Sequence, residues 1–402
     1  MTINNEHKKL NVPNLRFPEF QGEWEEYKLE DITAEIGDGI HATPIYDDNG
    51  TFYFVNGNNI SEYGITITAT TQKVTAEEAL RNNASALNSY SILLSINGTI
   101  GNVALYKNEP IMLGKSACYI NVSSNINRNY IFYYLMMPKC QFYFTSELTG
   151  TTIKNLSLKS VRKTKVLLPN ANEQSKIARL FDAINERIAT QNKIIEDLKK
   201  LKCAIIEKHY RQAKLHKYKI CDLGVPFSVG SLSKEDLSEE GYECILYGEL
   251  FTTYGCVINE VKSHTNKIAN TTLSQKGDLL FPSSTTVDAV SLISPSVIDI
   301  PNVILGGDMF GIHIDKKFNA YYLSYYINLI ARKKLAIYAK GSTIIHLHYK
   351  DIAKAQLLLP DLCEQDKNAK CMMAEDAKIK VEEQLLTILE KQKQYLLRQM
   401  FI

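Results

Sequence analysis

Two stretches of the chain place apolar residues alternately four and three apart. The first carries Ile177, Phe181, Ile184, Ile188, Ile195, Leu198 and Ile205, interrupted by polar Gln191 and Lys202. The second carries Met372, Ile379, Leu386, Leu389, Leu396 and Met400, interrupted by Glu382 and Lys393. A narrow seam of this period calls for a partner helix. The first helix is expected from about residue 171 to about 209. At ~1.5 Å per residue, ~38 residues make a rod roughly 55 Å long. The second helix starts less regularly, with Asn368 and Glu375 where the first has apolar residues. The two seams would most simply pack on each other; packing of each helix on its own globular unit is the alternative.

The helices belong to a longer repeat. The segment GTTIKNLSLKSVRKTKVLLPNANEQSKIA, from Gly150, returns as GSTIIHLHYKDIAKAQLLLPDLCEQDKNA, from Gly341, at an offset of 191 residues. Two copies this long mean duplicated domains rather than a solenoid. Each copy runs from a strand-like segment, KVLLP or QLLLP, into helical spacing. Asn170 with Glu173, and Asp361 with Glu364, fit a capping box just after a proline. Upstream lie strand-type runs at Thr51, Ser91, Ala117, Gly277 and Gly311, and helical stretches over 76–83, 128–143 and 320–338. The expected fold class is α+β, with bounds 1–170 for the first globular unit, 171–212 for the first long helix, 213–361 for the second unit and 362–402 for the second helix.

Composition narrows the function classes. The 402 residues are 45% hydrophobic and 22% charged, so the chain is globular, and a formal charge of +2 excludes a uniformly basic coat. None of the eight cysteines forms a C-x-x-C pair, which suits reduced thiols in a cytoplasmic protein. The N-terminus has no apolar signal-peptide core. The most apolar stretch, from Tyr130, is broken by Pro138 and Lys139 and is too short to span a bilayer, so no membrane role is expected.

Catalytic signatures are missing. There is no Walker A loop, no G-x-G-x-x-G after a strand, no G-x-S-x-G, no H-E-x-x-H and no Asp- or Asn-Pro-Pro-aromatic tetrapeptide. Pro360, Asp361, Glu364 and Lys367 have the wrong spacing for a nuclease cluster and are better explained by the helix cap. No catalytic residue and no metal site is expected.

Several loops could meet nucleic acid. Thr149, Gly150, Thr151, Thr152 and Lys154 offer hydroxyls, backbone N–H groups and an amine together; their twin is Lys340, Gly341, Ser342 and Thr343. His346 and His348 alternate on one face and are binding candidates or ordinary surface histidines; two alone do not define a metal site. Asn97 and Gly98 open a G-x-x-G turn, which either approaches a phosphate backbone or simply joins two strands. Asp38, Gly39, His41 and Thr43 form either a contact loop or a capped surface turn. The clusters Lys199, Lys200, Lys202 and Arg162, Lys163, Lys165 read as solvated faces.

The opening VPNLRFPEFQGEWEEYKLEDI, from Val12, resembles the start of specificity subunits of type I restriction–modification systems. So do the Gly150 loop and the duplicated LLP-x-x-x-E-Q entry into a long helix. The resemblance covers essentially the whole chain. It implies two duplicated α/β target recognition domains separated by two long antiparallel coiled-coil helices. Each domain would read one half of a split sequence in double-stranded DNA. The helices would set the spacing and dock two methyltransferase subunits along the seam of Phe181, Ile184, Ile188, Gln191, Ile195, Leu198, Ile205, Ile379, Glu382, Leu386, Leu389 and Leu396. Gln191 and Glu382 are either register-setting contacts or openings into which a partner inserts. The chain itself would be non-catalytic and hold no cofactor. Its partners would bind S-adenosylmethionine and methylate adenine N6, with or without two restriction subunits that bind ATP and Mg²⁺. A coiled-coil scaffold without specific DNA binding and a methylation-only system are the alternatives.

Overall fold

The computed structural model describes residues 10–82, 84–150 and 154–402. The chain forms two compact units, Met1–Asn192 with Gln384–Ile402, and Lys193–Glu383. Each long helix therefore contributes one half to each unit.

The first unit is built on a four-stranded antiparallel sheet. Ala117–Val122 lies between Thr33–Asp38 and Ser91–Ser95, with Val103–Leu105 outside. Ser91–Ser95 and Ala117–Val122 are buried along their whole lengths, and their near-continuous apolar runs follow from that. The second unit repeats the arrangement, with Met309–Ile314 between Gly224–Ser228 and Asp278–Pro282. A two-stranded ribbon closes each copy. Glu25 pairs with Leu168 in one, and His216 pairs with Leu359 in the other, so the 191-residue offset extends to strand register.

The helices expected upstream are shorter than the apolar pattern suggests. Residues 128–143 form two helices, Arg128–Met136 and Pro138–Ser146, because Met137 is extended ahead of the proline. Residues 320–338 form Ala320–Tyr326, a π-helical turn at Ile327–Ala331, and Arg332–Ala336. In 76–83 the helix is Ala76–Arg81; residue 83 lies outside the described residues.

The long helices run Ala171–Gln212 and Leu362–Met400. Asn170 Oδ1 accepts from Glu173 N, and Asp361 Oδ1 accepts from Glu364 N, both at 3.0 Å. These caps satisfy one of the free amides at each helix start. Only half of each expected capping box forms: the Glu173 carboxylate is drawn to Arg16, and that of Glu364 to Lys367.

The two helices pair antiparallel, and each unit shows one end of the pairing. In the first unit Ile177 and Phe181, near the start of the first helix, share a core with Leu397, Met400 and Phe401 at the end of the second. The Phe181 and Phe401 rings lie 5.6 Å apart, and Tyr133 packs on Phe181 at 5.0 Å. In the second unit Ile206, near the end of the first helix, packs with Met372 and Tyr325. The helices therefore pack on each other and on the globular units together.

Seam burial follows the pattern with one shift. Phe181, Ile188, Gln191, Ile195, Leu198, Ile379 and Leu389 are buried; Ile184, Leu386 and Glu382 are half-buried. Ile205 and Leu396 are only half-buried, and the next residues, Ile206 and Leu397, occupy the core instead. These two shifts fall at equivalent positions of the repeat. An α-helix of 3.6 residues per turn drifts about 20° per heptad against a 3.5-residue pattern, so over the four heptads from Ile177 to Ile205 the drift reaches roughly 80° and moves the buried face by about one residue.

Lys202 and Lys393, also equivalent, both carry internal ion pairs. Lys202 reaches Asp376 and sits over the Tyr325 ring, whereas Lys393 reaches Glu62. The irregular start of the second helix is accommodated by polar contacts: Asn368 is buried against His209, and Asp376 accepts from Tyr325 Oη at 2.6 Å. No described helix is long and apolar enough to cross a membrane.

Candidate nucleic-acid interface

The same loop is built once in each unit. In the first, Thr149 and Asn155 exchange backbone hydrogen bonds of 3.0 and 2.9 Å, and Thr149 Oγ1 also donates to Asn155 O. In the second, Lys340 and His346 exchange bonds of 2.9 and 2.7 Å. Asn155 bridges in turn to Asn97, and His346 pairs with Ser284. Each loop is thus closed at its base and anchored to a turn leaving the central sheet.

Glycine is required at the bend of both. Gly150 and Gly341 have φ of +92° and +117°, where L side chains are strained. A Cβ on Gly341 would also fall 2.0 Å from Ile344 O. Ser342 and Thr343 are exposed on the second loop, and Lys154 is exposed on the first. Thr151 and Thr152 lie outside the described residues.

The other candidates of the first unit gather beside this loop. Asn97 shares Asn155 with it, and the next residue, Gly98, bends at φ +75°. Thr99 Oγ1 is turned inward and donates to Gly57 O at 2.8 Å, so this hydroxyl supports the turn. The Asp38–Thr43 stretch joins through main-chain contacts: Gly39 N donates to Ala117 O and Ile40 N to Leu113 O. Gly39 lies so close that a Cβ would fall 2.1 Å from Leu113 O. From there Ile96 N donates to Ser116 O, which leads back to Asn97. Asp38 holds the exposed His41 ring at 2.8 Å, and Thr43 is exposed.

In the second unit the His346 and His348 rings stack at 6.1 Å, inclined by 14°. Lys340 Nζ lies 2.6 Å from Asp351 Oδ1, and this ammonium lowers the Asp351 carboxyl below its ordinary range. The lysine clusters away from the loops are taken up differently. Lys199 pairs with Glu383, Lys200 with Glu196 and Lys165 with Glu26, while Arg162 donates to Ile36 O. Lys163 is exposed.

Comparison with known proteins settles the family. A sequence model described as the type I restriction modification DNA specificity domain matches the chain twice, over residues 21–200 and 214–391. The chain belongs to the type I restriction–modification specificity-subunit family. The first match includes the Gly150 loop and the second the Gly341 loop. The specificity subunit is 24% identical to the MjaX type I restriction enzyme specificity subunit of Methanocaldococcus jannaschii, over 96% of this chain and 95% of that one. In fold it is similar to the type I restriction–modification S subunit from M. genitalium, with a TM-score of 0.59 and 16% identity, covering 97% of this chain and 99% of the other. A second similar structure comes from work on complex assembly and conformational transition of the type I R-M system, with a TM-score of 0.57 and 14% identity over 94% and 97% of the two chains.

Two features of this specificity subunit were not legible as functional in the sequence. Asn155 closes the first loop, and only its place 191 residues before His346 could have pointed to it. The bidentate Arg16–Glu173 pair ties the N-terminal segment to the first helix, with Nε–Oε1 at 2.7 Å and a second nitrogen 2.8 Å from Oε2. No local pattern signals that pair.

Proposed function

We propose that each unit reads one half of a bipartite sequence in double-stranded DNA, and that the paired helices set the gap between halves and dock two modification subunits. The matched loops carry this reading. Each presents hydroxyl or amine groups on a glycine bend closed by main-chain bonds, a geometry suited to positioning against phosphates and base edges. The residues around the two loops differ, with Asn97 and Asn155 on one side and Ser284 and His346 on the other. Two different half-sites follow.

In this reading the chain is a non-catalytic subunit of an adenine-N6 methyltransferase in the cytoplasm. The modification subunits would hold S-adenosylmethionine and transfer its methyl group. Restriction subunits, where the host carries them, would bring ATP and Mg²⁺. Buried Gln191 and half-buried Glu382 are the docking positions we favour on the helix pair.

Methylome sequencing of the host with and without this gene tests the reading. One split motif with a constant gap should disappear on deletion. Loss of a continuous motif, or no change, would reject it.

A further inference from the structure

The second recognition loop stands among exposed apolar side chains. Ile344 on the loop is 50% exposed, Val287 is 73% exposed and Ile337 is 75% exposed. Local connections bring them to one place. Ile345 pairs with Thr285, whose Oγ1 accepts from Val287 N at 3.2 Å. Exposed Val290 lies in the short helix Ala289–Leu292, and Arg332 Nε donates to Val290 O at 2.7 Å. Arg332 opens the helix that ends at Ala336, just before Ile337 and the loop base at Lys340. A concentration of apolar side chains at a surface marks a binding site. In the first unit the stretch after the equivalent bridge, residues 98–102, is Gly-Thr-Ile-Gly-Asn and carries no such valines.

The charges nearby favour an anionic partner. Lys333 and Lys334 are exposed and form no ion pair among the described residues. Two neighbouring carboxylates are engaged internally, Asp288 capping the Ala289–Leu292 helix through Ser291 and Asp351 holding Lys340, and a third, Asp308, lies 4.0 Å from the His346 ring. An apolar surface with Lys333 and Lys334 on one flank, continuous with a DNA-reading loop, fits the major groove. The one apolar feature that base pairs present there is the thymine 5-methyl group.

We propose that Val287 and Ile344 read a thymine methyl in the second half-site. This inference rests on the function proposed above.

The test uses the complex assembled with its modification subunits. Each thymine of the second half-site is replaced in turn by deoxyuridine, which keeps every hydrogen bond and removes only the methyl. At one position binding should weaken about fourfold, the worth of one buried methyl group. A complex with Val287→Ser and Ile344→Ser should bind the thymine and deoxyuridine duplexes equally. A second half-site without thymine, insensitivity at every position, or unchanged sensitivity in the double variant would overturn the inference while leaving split recognition standing. Failure of the variant to assemble with the modification subunits would make the patch a protein interface and equally overturn it. If the wild-type complex does not distinguish the target from one with a scrambled second half-site, the proposed function falls as well.

Discussion

Gln174 holds Asn127 by its backbone amide, which donates to Gln174 Oε1 at 3.1 Å. The other end of the same side chain donates from Nε2 to Pro169 O at 2.8 Å. One residue thus ties the end of a strand, the start of a long helix and the cap of the helix Arg128–Met136, where Asn127 Oδ1 accepts from Tyr130 N. The second copy repeats every contact: Gln365 bonds Asn319 N at 3.0 Å and Pro360 O at 2.8 Å, and Asn319 caps the helix Ala320–Tyr326. The glutamine of the LLP-x-x-x-E-Q motif is therefore a clamp between long helix and recognition domain.

Replacing that clamp should loosen one unit at a time. Gln174 and Gln365 are buried, so a leucine leaves an amide and a carbonyl without partners. Gln174→Leu should destabilise the first unit by about 1–3 kcal/mol, and Gln365→Leu the second by a similar amount. Urea unfolding followed by hydrogen exchange at the Asn127 and Asn319 amides would show which unit gives way.

A charge in the seam should cost more. Leu198 and Leu389 are both buried at equivalent positions. Leu198→Glu must bury an unpaired carboxylate or part the helices, at a cost of roughly 2–5 kcal/mol. Loss of helical circular dichroism at lower temperature, together with poor recovery of the modification complex, is the expected outcome.

The loop glycine offers a local test of half-site reading. Gly341→Ala forces a Cβ against Ile344 O in a left-handed backbone, which should cost upwards of about 1 kcal/mol and reshape the loop. Ser342→Ala with Thr343→Ala removes two exposed hydroxyls and should weaken second half-site discrimination by about 1–3 kcal/mol. Competition against duplexes scrambled in one half or the other should show loss confined to the second.

The Asp351–Lys340 pair predicts a pH effect at the same loop. Because Lys340 lowers the folded-state carboxyl of Asp351, the pair stabilises the fold fully above the ordinary aspartate range and ceases to do so as pH falls through the lowered value. Lys340→Met should return the Asp351 titration upward. Carboxyl NMR titration of both forms would reveal it, and equal midpoints would exclude the pairing in solution.

Spacing can be lengthened without altering the half-sites. One heptad inserted after Gln191 and another after Glu382 keeps the seam in phase. Seven helical residues add about 10 Å, close to three base pairs at ~3.4 Å each. Methylome sequencing should find the same half-sites with a longer gap; an altered half-site with the old gap would sink the spacing role.

Both long helices, their caps and their pairing seam were legible in the sequence, as was the duplication. Those features are written in neighbouring residues: Asn170 and Asp361 cap amides three positions on, and the four-three spacing lines up one helix face. Tertiary structure decided what depends on residues far apart in the chain. It moved burial from Ile205 and Leu396 to Ile206 and Leu397, because the accumulated drift of a straight helix is set against whatever packs beside it. It took Glu173 from its capping box and gave it to Arg16, 157 positions away, since a guanidinium offers a carboxylate two parallel charge-assisted bonds where the cap amide offers one neutral one. It also anchored the two repeated loops. The Gly150 and Gly341 motifs became equivalent closed loops only when Asn97 and Ser284, each more than fifty residues upstream of its partner, supplied the strand edge that anchors them.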